Sequence, residues 1–165
     1  MDLGVYAIQG ARRIVGEEPI AVSAQAFNFD KEHFKGIHES VLWQFEFPGG
    51  AVANCSTSYS AYVDRLYATC ESGWFEISPA FNATGTKGRT SKGEMNMPVF
   101  PYQQIAQLDD FARAVSKNDT PIALGAEGLK DIKLIEGILR AAETGKRIKL
   151  ISYSLAFVKW HQGGH

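Results

Sequence analysis

The sequence predicts an α+β fold: one open, mainly antiparallel β-sheet of roughly five to seven strands, with three helices packed on one of its faces. Two observations lead to this prediction. Apolar residues recur at helical spacing at the start of the chain and in two segments near its end, whereas they alternate with polar residues in between. The 165 residues, 45% of them hydrophobic, are enough for one core of ordinary size.

The first predicted helix covers residues 1–15. Small and apolar residues recur there every three or four positions, at Leu3, Tyr6, Ala7, Gly10, Ala11 and Ile14. Asp2 lies where a carboxylate caps a helix or is stabilised by the partial positive charge of the helix N-terminus. Gly16 is expected to end the helix.

Strand patterns extend from Pro19 to Ile77. Residues 20–27 are strand-like, and in 40–47 the apolar side chains of Val41, Trp43, Phe45 and Phe47 fall on one face. Two turn sequences, Pro48-Gly49-Gly50 and Glu71-Ser72-Gly73, predict hairpins and therefore an antiparallel sheet. The strands joined by these hairpins are 40–47 with 51–59 and 66–70 with 74–77.

The last part of the chain is predicted to return to helix. Residues 81–98 are rich in Gly, Thr, Ser, Lys and Asn and are expected to form a long loop or an irregular excursion at the edge of the sheet. Helices follow over 103–117 and 127–144, and Gly145 closes the second as a left-handed cap. A short edge strand at 146–150 completes a predicted domain of residues 1–150, and residues 151–165 form a tail of unknown role.

Composition and charge exclude several classes of function. A net charge of −1, with Lys and Arg scattered along the chain, provides no basic surface for nucleic acid. No apolar run reaches the length of a membrane span and the first residues lack a secretory pattern, so we expect a cytoplasmic protein without a membrane partner. Cys55, Cys70 and four isolated histidines form neither a disulfide framework nor a metal-ligand pattern.

Asp2 and Tyr6 are the candidate catalytic residues. Four positions apart on a helix, two side chains share a face with Cβ atoms about 5 to 6 Å apart. A tyrosine hydroxyl, with a pKa of about 10, carries protons poorly at neutral pH unless a cation lowers that pKa, and a carboxylate alone raises it. The pair therefore calls for a lysine as third partner. Spacing alone favours the structural interpretation, in which Asp2 is a helix cap and Tyr6 an aromatic at the edge of the core.

Several segments resemble, in the same order, the C-terminal domain of the Gfo/Idh/MocA oxidoreductases. Asp2-Leu3-Gly4-Val5-Tyr6 is similar to the D-x-G-x-Y segment of the glucose-fructose oxidoreductase branch. Gly16-Glu17-Glu18-Pro19 resembles the family's G-E-E-P, and Phe45-Glu46-Phe47-Pro48-Gly49-Gly50 its F-P-G-G hairpin. Residues 73–81 resemble the segment that enters the edge of the family's sheet. Its last helices and terminal strand are resembled by residues 108–112, 127–131 and 144–146. The resemblance runs from residue 2 to about residue 150.

The resemblance implies a function as well as a fold. The implied fold is like the C-terminal domain of glyceraldehyde-3-phosphate dehydrogenase. The implied activity is an NAD(P)-dependent oxidoreductase acting on sugars, polyols or related hydroxyl or carbonyl compounds. Tyr6 would be the general acid/base at the reacting oxygen, and Asp2 would orient the substrate or tune the proton transfer. Other branches carry His at this position, so Tyr6 favours the glucose-fructose oxidoreductase and dihydrodiol dehydrogenase side.

The nucleotide-binding half of the family has no counterpart in the sequence. In the family, a Rossmann domain with G-x-G-x-x-G precedes this region and supplies an E-K-P lysine. Gly85-Thr86-Lys87-Gly88 has the wrong spacing for a phosphate site. We therefore expect no cofactor-binding residue here, NAD or NADP binding only to the complete enzyme, and an isolated chain without activity. The alternative is a non-catalytic binding or assembly module that keeps the sheet as an association surface.

The second face of the sheet predicts a homo-oligomer. It carries Trp43 or its alternate-face neighbours, such as Leu42, Gln44 and Asn54, instead of a layer of charges. A face of this kind exposes more apolar area than soluble monomers usually tolerate, and pairing with a second copy would cover it. A dimer or a tetramer built from dimers is expected. The alternative is that the absent nucleotide-binding domain or the tail covers the face.

Overall fold

The computed structural model describes residues 1–82, 84–97 and 103–150. Within these ranges the chain has three helices and eight strands, which confirms the α+β class. The predicted tail at 151–165 lies outside the described residues. The elements are α1 (Gly4–Val15), β1 (Ala21–Phe27), β2 (Ser40–Glu46), β3 (Val52–Ser58), β4 (Leu66–Cys70), β5 (Gly73–Ile77), β6 (Gly88–Thr90), β7 (Gly93–Met95), α2 (Gln103–Lys117), α3 (Gly125–Thr144) and β8 (Ile148–Lys149).

The strands form two sheets, whereas the sequence predicted one. The first sheet has the order β3-β2-β1-β8 and the second the order β4-β5-β6-β7. Every described strand pair is antiparallel, as expected. Alternation along a strand identifies a strand but not its ladder partner, so the break between β3 and β4 has no signature in the sequence.

The segment predicted as a loop contains two short strands. Residues 88–90 and 93–95 form β6 and β7 and extend the second sheet beyond β5. Each strand has only three residues, too few to show an alternating pattern. For this part the loop interpretation of 81–98 is therefore wrong, and the structure agrees with the alternative, an excursion at the edge of a sheet.

The hydrophobic core lies between the first sheet and the helices α1 and α3. The covered face of β2 is the predicted one, with Val41, Trp43 and Phe45 at most 3% exposed. Trp43 therefore belongs to the core and not to the open face. The core cluster consists of Ile8, Ala11, Val22, Val41, Trp43, Phe45, Phe47, Leu134, Ile138 and Ala141.

Two glycines end the helices of the core as predicted. Gly16 and Gly145 have φ angles of +74° and +65°, the left-handed region where a side chain is strained. Each donates its backbone N–H to a carbonyl of the last helical turn, that of Arg12 or Ala141. These caps turn the chain from each helix toward the next strand.

Helix α2 differs from the prediction that all three helices pack on the sheet. Its apolar stripe, Ile105, Leu108, Phe111 and Val115, is 52 to 68% exposed. The helix is tied to the segment that follows it, because Asp110 accepts the backbone N–H of Ile122 at 2.7 Å. Periodicity predicted the stripe correctly, but in the described structure the stripe does not join the core. None of the described helices is long and apolar enough to cross a membrane.

A buried ionic network joins α1 to α3. Arg12 is 9% exposed, and its guanidinium donates to Glu18 at 2.6 and 2.7 Å, to Glu127 at 2.8 Å and to Asp131 at 2.9 Å. Gln9 also donates to Asp131, which is 2% exposed, at 2.6 Å. The charge of Asp131 is therefore neutralised and hydrogen-bonded inside the protein, as a buried carboxylate requires.

The second sheet has a charged centre on its side away from α1. Glu76 of β5 is 7% exposed and accepts hydrogen bonds from both Arg65 and Arg89. The Arg65 guanidinium lies over the ring of Tyr67 and that of Arg89 over Trp74, at 4.8 and 5.8 Å from the ring centroids. The two rings are stacked on each other at 5.9 Å.

Candidate functional site

Asp2 lies just before the first helix and not within it. The helix begins at Gly4 with Leu3 at the N-cap position, and Leu3 makes no side-chain hydrogen bond to the helix. The prediction that Asp2 caps this helix is therefore wrong. Its carboxylate accepts instead from the hydroxyl of Tyr59, with 2.5 Å between Tyr59 Oη and Asp2 Oδ1.

Tyr6 lies in the first turn of α1 and is 52% exposed. Its ring is 6.2 Å from that of Phe81, centroid to centroid. Within the described part of the chain, the Tyr6 hydroxyl makes no hydrogen bond. Asp2 and Tyr6 therefore lie at the same end of α1 without being hydrogen-bonded, and the tyrosine that contacts the carboxylate is Tyr59.

The hydrogen bond between Asp2 and Tyr59 moves the pKa values of the two groups apart. The Tyr59 hydroxyl lowers the pKa of Asp2, since a hydrogen bond to the carboxylate favours its charged form. The same bond raises the pKa of Tyr59, because ionisation would place two negative charges side by side. At neutral pH the pair is thus an ionised carboxylate and a neutral phenol.

Tyr59 is held in place by the loop between β1 and β2. Its ring stacks on that of Phe34 with centroids 5.8 Å apart, and its backbone N–H donates to the carbonyl of Glu39 at 3.0 Å. The carboxylate of Glu39, 6% exposed, accepts the backbone N–H groups of Phe29 and Asp30 and the hydroxyl of Ser60. The Ser60 bond is the main cause that lowers the pKa of Glu39.

Asp64 forms the other wall of the site. One of its carboxylate oxygens accepts the backbone N–H groups of Ala80 and Phe81, at 2.6 and 2.7 Å. These bonds fix the segment that carries Phe81 beside Tyr6. The second oxygen accepts the hydroxyl of Tyr62 at 3.3 Å, and Tyr62 accepts the side-chain amide of Asn82 at 3.5 Å.

Tyr6, Tyr59 and Asp64 line a cleft of about 580 Å³ between α1, the end of β3 and the segment after β5, and Asp2 is joined to it through Tyr59. Aromatic rings and short hydroxyl side chains make up most of its lining. The described lining residues are Leu3, Tyr6, Ala7, Ser40, Leu42, Ser56, Thr57, Ser58, Tyr59, Ser60, Ala61, Tyr62, Val63, Asp64, Phe81 and Asn82. Rings that stack on apolar ligand faces, together with hydroxyl and amide groups, suit a polyhydroxylated molecule.

The site has no cation among its described lining residues, neither lysine nor arginine. The chemistry expected for Tyr6 requires a nearby cation, so the described residues do not complete the proton-transfer apparatus. Groups of three or more His, Cys, Asp or Glu able to hold a metal are likewise absent from the described ranges. The cleft therefore supplies a hydroxyl, a carboxylate and a binding surface.

Tyr59 is the residue of this site that sequence reasoning missed. The hairpin prediction placed it at the end of the strand that became β3, without a partner. It lies 57 positions from Asp2 in the chain, and no pattern in the sequence reports how α1 is seated on β3. The catalytic roles of Asp2 and Tyr6 stay a prediction, to which the structure adds that the Asp2 carboxylate is hydrogen-bonded to Tyr59.

Comparison with known proteins identifies the domain. Residues 1–91 match the profile of the GFO/IDH/MocA C-terminal domain. The chain is 26% identical over 155 residues to D-xylose 1-dehydrogenase [NADP(+)] of Haloarcula marismortui, covering 91% of this chain and 43% of that protein. It thus spans less than half the length of this relative.

Solved structures of oxidoreductases share the fold. Aldose-aldose oxidoreductase from Caulobacter crescentus, solved with glycerol, is 35% identical and has a TM-score of 0.84 over 89% of this chain and 46% of its own. An oxidoreductase from Thermotoga maritima is 28% identical, with a TM-score of 0.71 over 90% of this chain and 43% of its own.

Proposed function

The chain belongs to the Gfo/Idh/MocA family of oxidoreductases, and from that membership we propose that it forms the substrate-binding and oligomerisation domain of an NAD(P)-dependent oxidoreductase. The proposed domain covers residues 1–150, and the substrates are sugars, polyols or related hydroxyl and carbonyl compounds. The cleft beside Tyr6 is the observation that carries this proposal, since its rings and hydroxyls suit a polyhydroxylated ligand. Relatives named as a xylose dehydrogenase and an aldose-aldose oxidoreductase support the same substrate class.

In this proposal, Tyr6 exchanges a proton with the reacting oxygen of the substrate. Tyr6 is 52% exposed at the end of α1 that borders the cleft. Its hydroxyl does not donate to Asp2, which accepts from Tyr59 instead. The Asp2 carboxylate orients the substrate or tunes the proton transfer. The cation that would make the Tyr6 proton mobile at neutral pH must then come from outside the described residues.

The described residues do not fit a dinucleotide cofactor. Dinucleotides bind to parallel βαβ units with a glycine-rich turn at the helix N-terminus, whereas every described strand pair here is antiparallel. Gly85-Thr86-Lys87-Gly88 leads into the short strand β6 and not into a helix. We therefore propose that a separate nucleotide-binding domain holds NAD or NADP. The NADP(+) named for the xylose dehydrogenase supports this class of cofactor.

The exposed stripe of α2 supports a second domain at this surface. Four apolar side chains along one helix face, each more than half exposed, form a patch of the kind that a protein interface covers. The relatives described above are about twice as long as this chain, so they have a further domain's length available to cover it.

Titration calorimetry with NADH and NADPH tests the division between the two domains. We expect no binding of either cofactor to this chain at micromolar concentration. Binding of that strength would show that these residues hold the cofactor and would overturn the proposed division. A protein that joins the chain to a nucleotide-binding domain of the family should bind the cofactor and oxidise or reduce aldoses.

Substitution of Tyr6 in such a joined protein tests its proposed role. Tyr6→Phe should lower kcat by roughly 100- to 10,000-fold, the usual contribution of a positioned acid/base, because the ring remains and only the hydroxyl is lost. Tyr67→Phe is the matched control, since Tyr67 lies on β4 outside the cleft and likewise loses only its hydroxyl. Wild-type turnover in Tyr6→Phe would reduce Tyr6 to an aromatic of the helix face.

The open face of the first sheet is the proposed surface of self-association. It carries Leu42 and Val52, 47 and 53% exposed, among polar side chains such as Gln44 and Asn54, which are hydrogen-bonded to each other at 2.8 Å. A half-apolar face without a layer of charges suits contact with a second copy. Light scattering should give the mass of a dimer or larger; a monomer mass at high micromolar concentration would contradict this part of the proposal.

The proposal extends to a cytoplasmic location. Both cysteines in the chain are free thiols. Free thiols persist in reducing compartments, whereas oxidising compartments favour disulfides. Fluorescence microscopy of a tagged protein in its native cell would test the location.

A further inference from the structure

Tyr59 contacts the Asp2 carboxylate and is itself fixed by the surrounding structure. We propose that Tyr59 is a positioning residue, which holds the Asp2 carboxylate in one orientation beside the cleft so that Tyr6 alone remains to exchange a proton. This inference rests on the proposed function, because it assigns Tyr59 a role in the same site.

The Asp2 side chain needs such a partner to have a fixed orientation. It is 70% exposed and lies before the helix begins, so packing restrains it little; apart from Tyr59, the backbone N–H of Leu3 is the main group that hydrogen-bonds to it and lowers its pKa. A hydrogen bond to a charged group is stronger than one between neutral groups, and the 2.5 Å bond from Tyr59 joins Asp2 to a residue of another element. The Met1 ammonium, 3.8 Å from the carboxylate, is the other charged group that faces it among the described residues.

The position of Tyr59 can be traced to a buried group. Glu39 receives the backbone N–H of Tyr59 on its carbonyl and the hydroxyl of the neighbouring Ser60 on its carboxylate. Phe34 stacks against the Tyr59 ring. A nearly buried glutamate thus anchors the strand end that presents Tyr59, and the phenol transmits that placement to Asp2.

The three tyrosines of the cleft have different hydroxyl partners. Tyr59 donates to Asp2, Tyr62 donates to Asp64, and the Tyr6 hydroxyl makes no hydrogen bond within the described part of the chain. A phenol that already donates to a carboxylate is hard to ionise, which suits it to hold that carboxylate and not to exchange protons. Tyr59 and Tyr6 therefore have separate tasks, and Tyr62, whose hydroxyl does not contact Asp2, provides a matched control for the titration of Asp2.

Carboxyl-carbon NMR of Asp2 tests the inference on this chain without any activity. Tyr59→Phe keeps the ring that stacks on Phe34 and removes only the hydroxyl. We expect the titration midpoint of Asp2 to move to higher pH in Tyr59→Phe and to stay unchanged in Tyr62→Phe. The Met1 ammonium is the same in all three proteins, so the difference isolates Tyr59. An unchanged midpoint in Tyr59→Phe, with a native amide spectrum, overturns the inference.

A double-mutant cycle tests the functional half in the protein that includes the nucleotide-binding domain. Tyr59→Phe should lower kcat by roughly 10- to 100-fold, as expected for loss of one hydrogen bond to a charged group. It should also shift the acidic limb of the pH profile to higher pH. Combined with Asp2→Ala it should add no further loss, because without the Asp2 carboxylate the Tyr59 hydroxyl has no group to position.

Additive losses in the double mutant overturn the positioning role even if Tyr59→Phe is impaired, since they would show that Tyr59 acts independently of Asp2. A protein without oxidoreductase activity would overturn the proposed function instead, and the NMR titration then decides whether Tyr59 controls the Asp2 carboxylate. The two failures are therefore distinguishable.

Discussion

Two regions of the molecule differ in how they bury apolar side chains. One region is the first sheet with α1 and α3, and the other comprises the second sheet and α2. Every member of the core cluster comes from α1, α3 or the first sheet and its β2–β3 turn. In the second sheet the most buried side chain is a glutamate, Glu76, and on α2 four apolar side chains remain more than half exposed. The first sheet, α1 and α3 thus build a hydrophobic core of their own, whereas the apolar stripe of α2 is left for another surface to cover.

Helices α2 and α3 make the difference concrete. Both have apolar stripes at the same spacing, yet Ile138 of α3 is fully buried and Leu108 of α2 is 68% exposed. A stripe reports that a helix has an apolar face, and it does not report whether the covering surface belongs to the same domain.

Truncating a core side chain should give the largest effect on the free energy of unfolding. Ile138→Ala should cost about 3 kcal/mol, because it removes three carbons from a packed site and leaves a cavity. Leu108→Ala on α2 should stay within about 0.5 kcal/mol, as is usual for exposed positions. Urea denaturation measures both. Equal losses would mean that α2 is packed in solution and would remove the contrast between the helices.

The ionic network between α1 and α3 should make the free energy of unfolding sensitive to acid. Arg12→Met should cost about 2 kcal/mol at pH 7, because it leaves the buried Asp131 without its cation. Arg12 also lowers the pKa of Glu18, so the carboxylate stabilises the fold above its unfolded pKa of about 4.3 and loses that contribution as pH falls through the lower folded value.

The difference between wild type and Arg12→Met should therefore narrow on going from pH 7 to pH 3. Urea denaturation at several pH values measures this difference. Arg13→Met is the control, since Arg13 is the exposed neighbour on the same helix and should change little at any pH. A constant difference between wild type and Arg12→Met would show that the network does not contribute through its charges.

The smallest expected effect is a difference in thiol reactivity between the first sheet, which contains Cys55, and the second sheet, which contains Cys70. Cys55 of β3 lies against α1, and burial raises its pKa to about 12. Cys70, at the end of β4, is exposed. At pH 8 a disulfide reagent should modify Cys70 at least about tenfold faster, because the thiolate is the reacting species. Cys70→Ser should leave a chain that reacts slowly until urea unfolds it; equal rates in the native chain would show that β3 opens readily.

Local patterns predicted much of the fold. Strand alternation identified the covered face of β2, and Pro48-Gly49-Gly50 marked the hairpin that joins β2 to β3. Gly16 and Gly145 marked helix ends because a left-handed residue there favours glycine. These features depend on neighbours within a few positions, so the sequence carries them directly.

Features that depend on distant parts of the chain were not predictable. Tyr59 meets Asp2 only because α1 lies across the end of β3, and the division into two sheets depends on ladder pairing. Strands β6 and β7 have too few residues to show a period. The exposure of α2 depends on a surface that the described residues do not provide.

Glu76 stabilises the observed register of the strands in the second sheet. In the observed register it faces Tyr67 on β4 and Arg89 on β5's other neighbour, β6. If β6 slipped by one residue, Arg89 would point to the opposite side of the sheet and Glu76 would lose one of its two cations. Few apolar side chains of this sheet are buried, so a slip would change the burial of apolar surface little. The free-energy difference between the observed and the shifted register then comes mainly from the buried carboxylate that has lost a cation. The two arginines thus favour one strand register in a sheet without a large hydrophobic core.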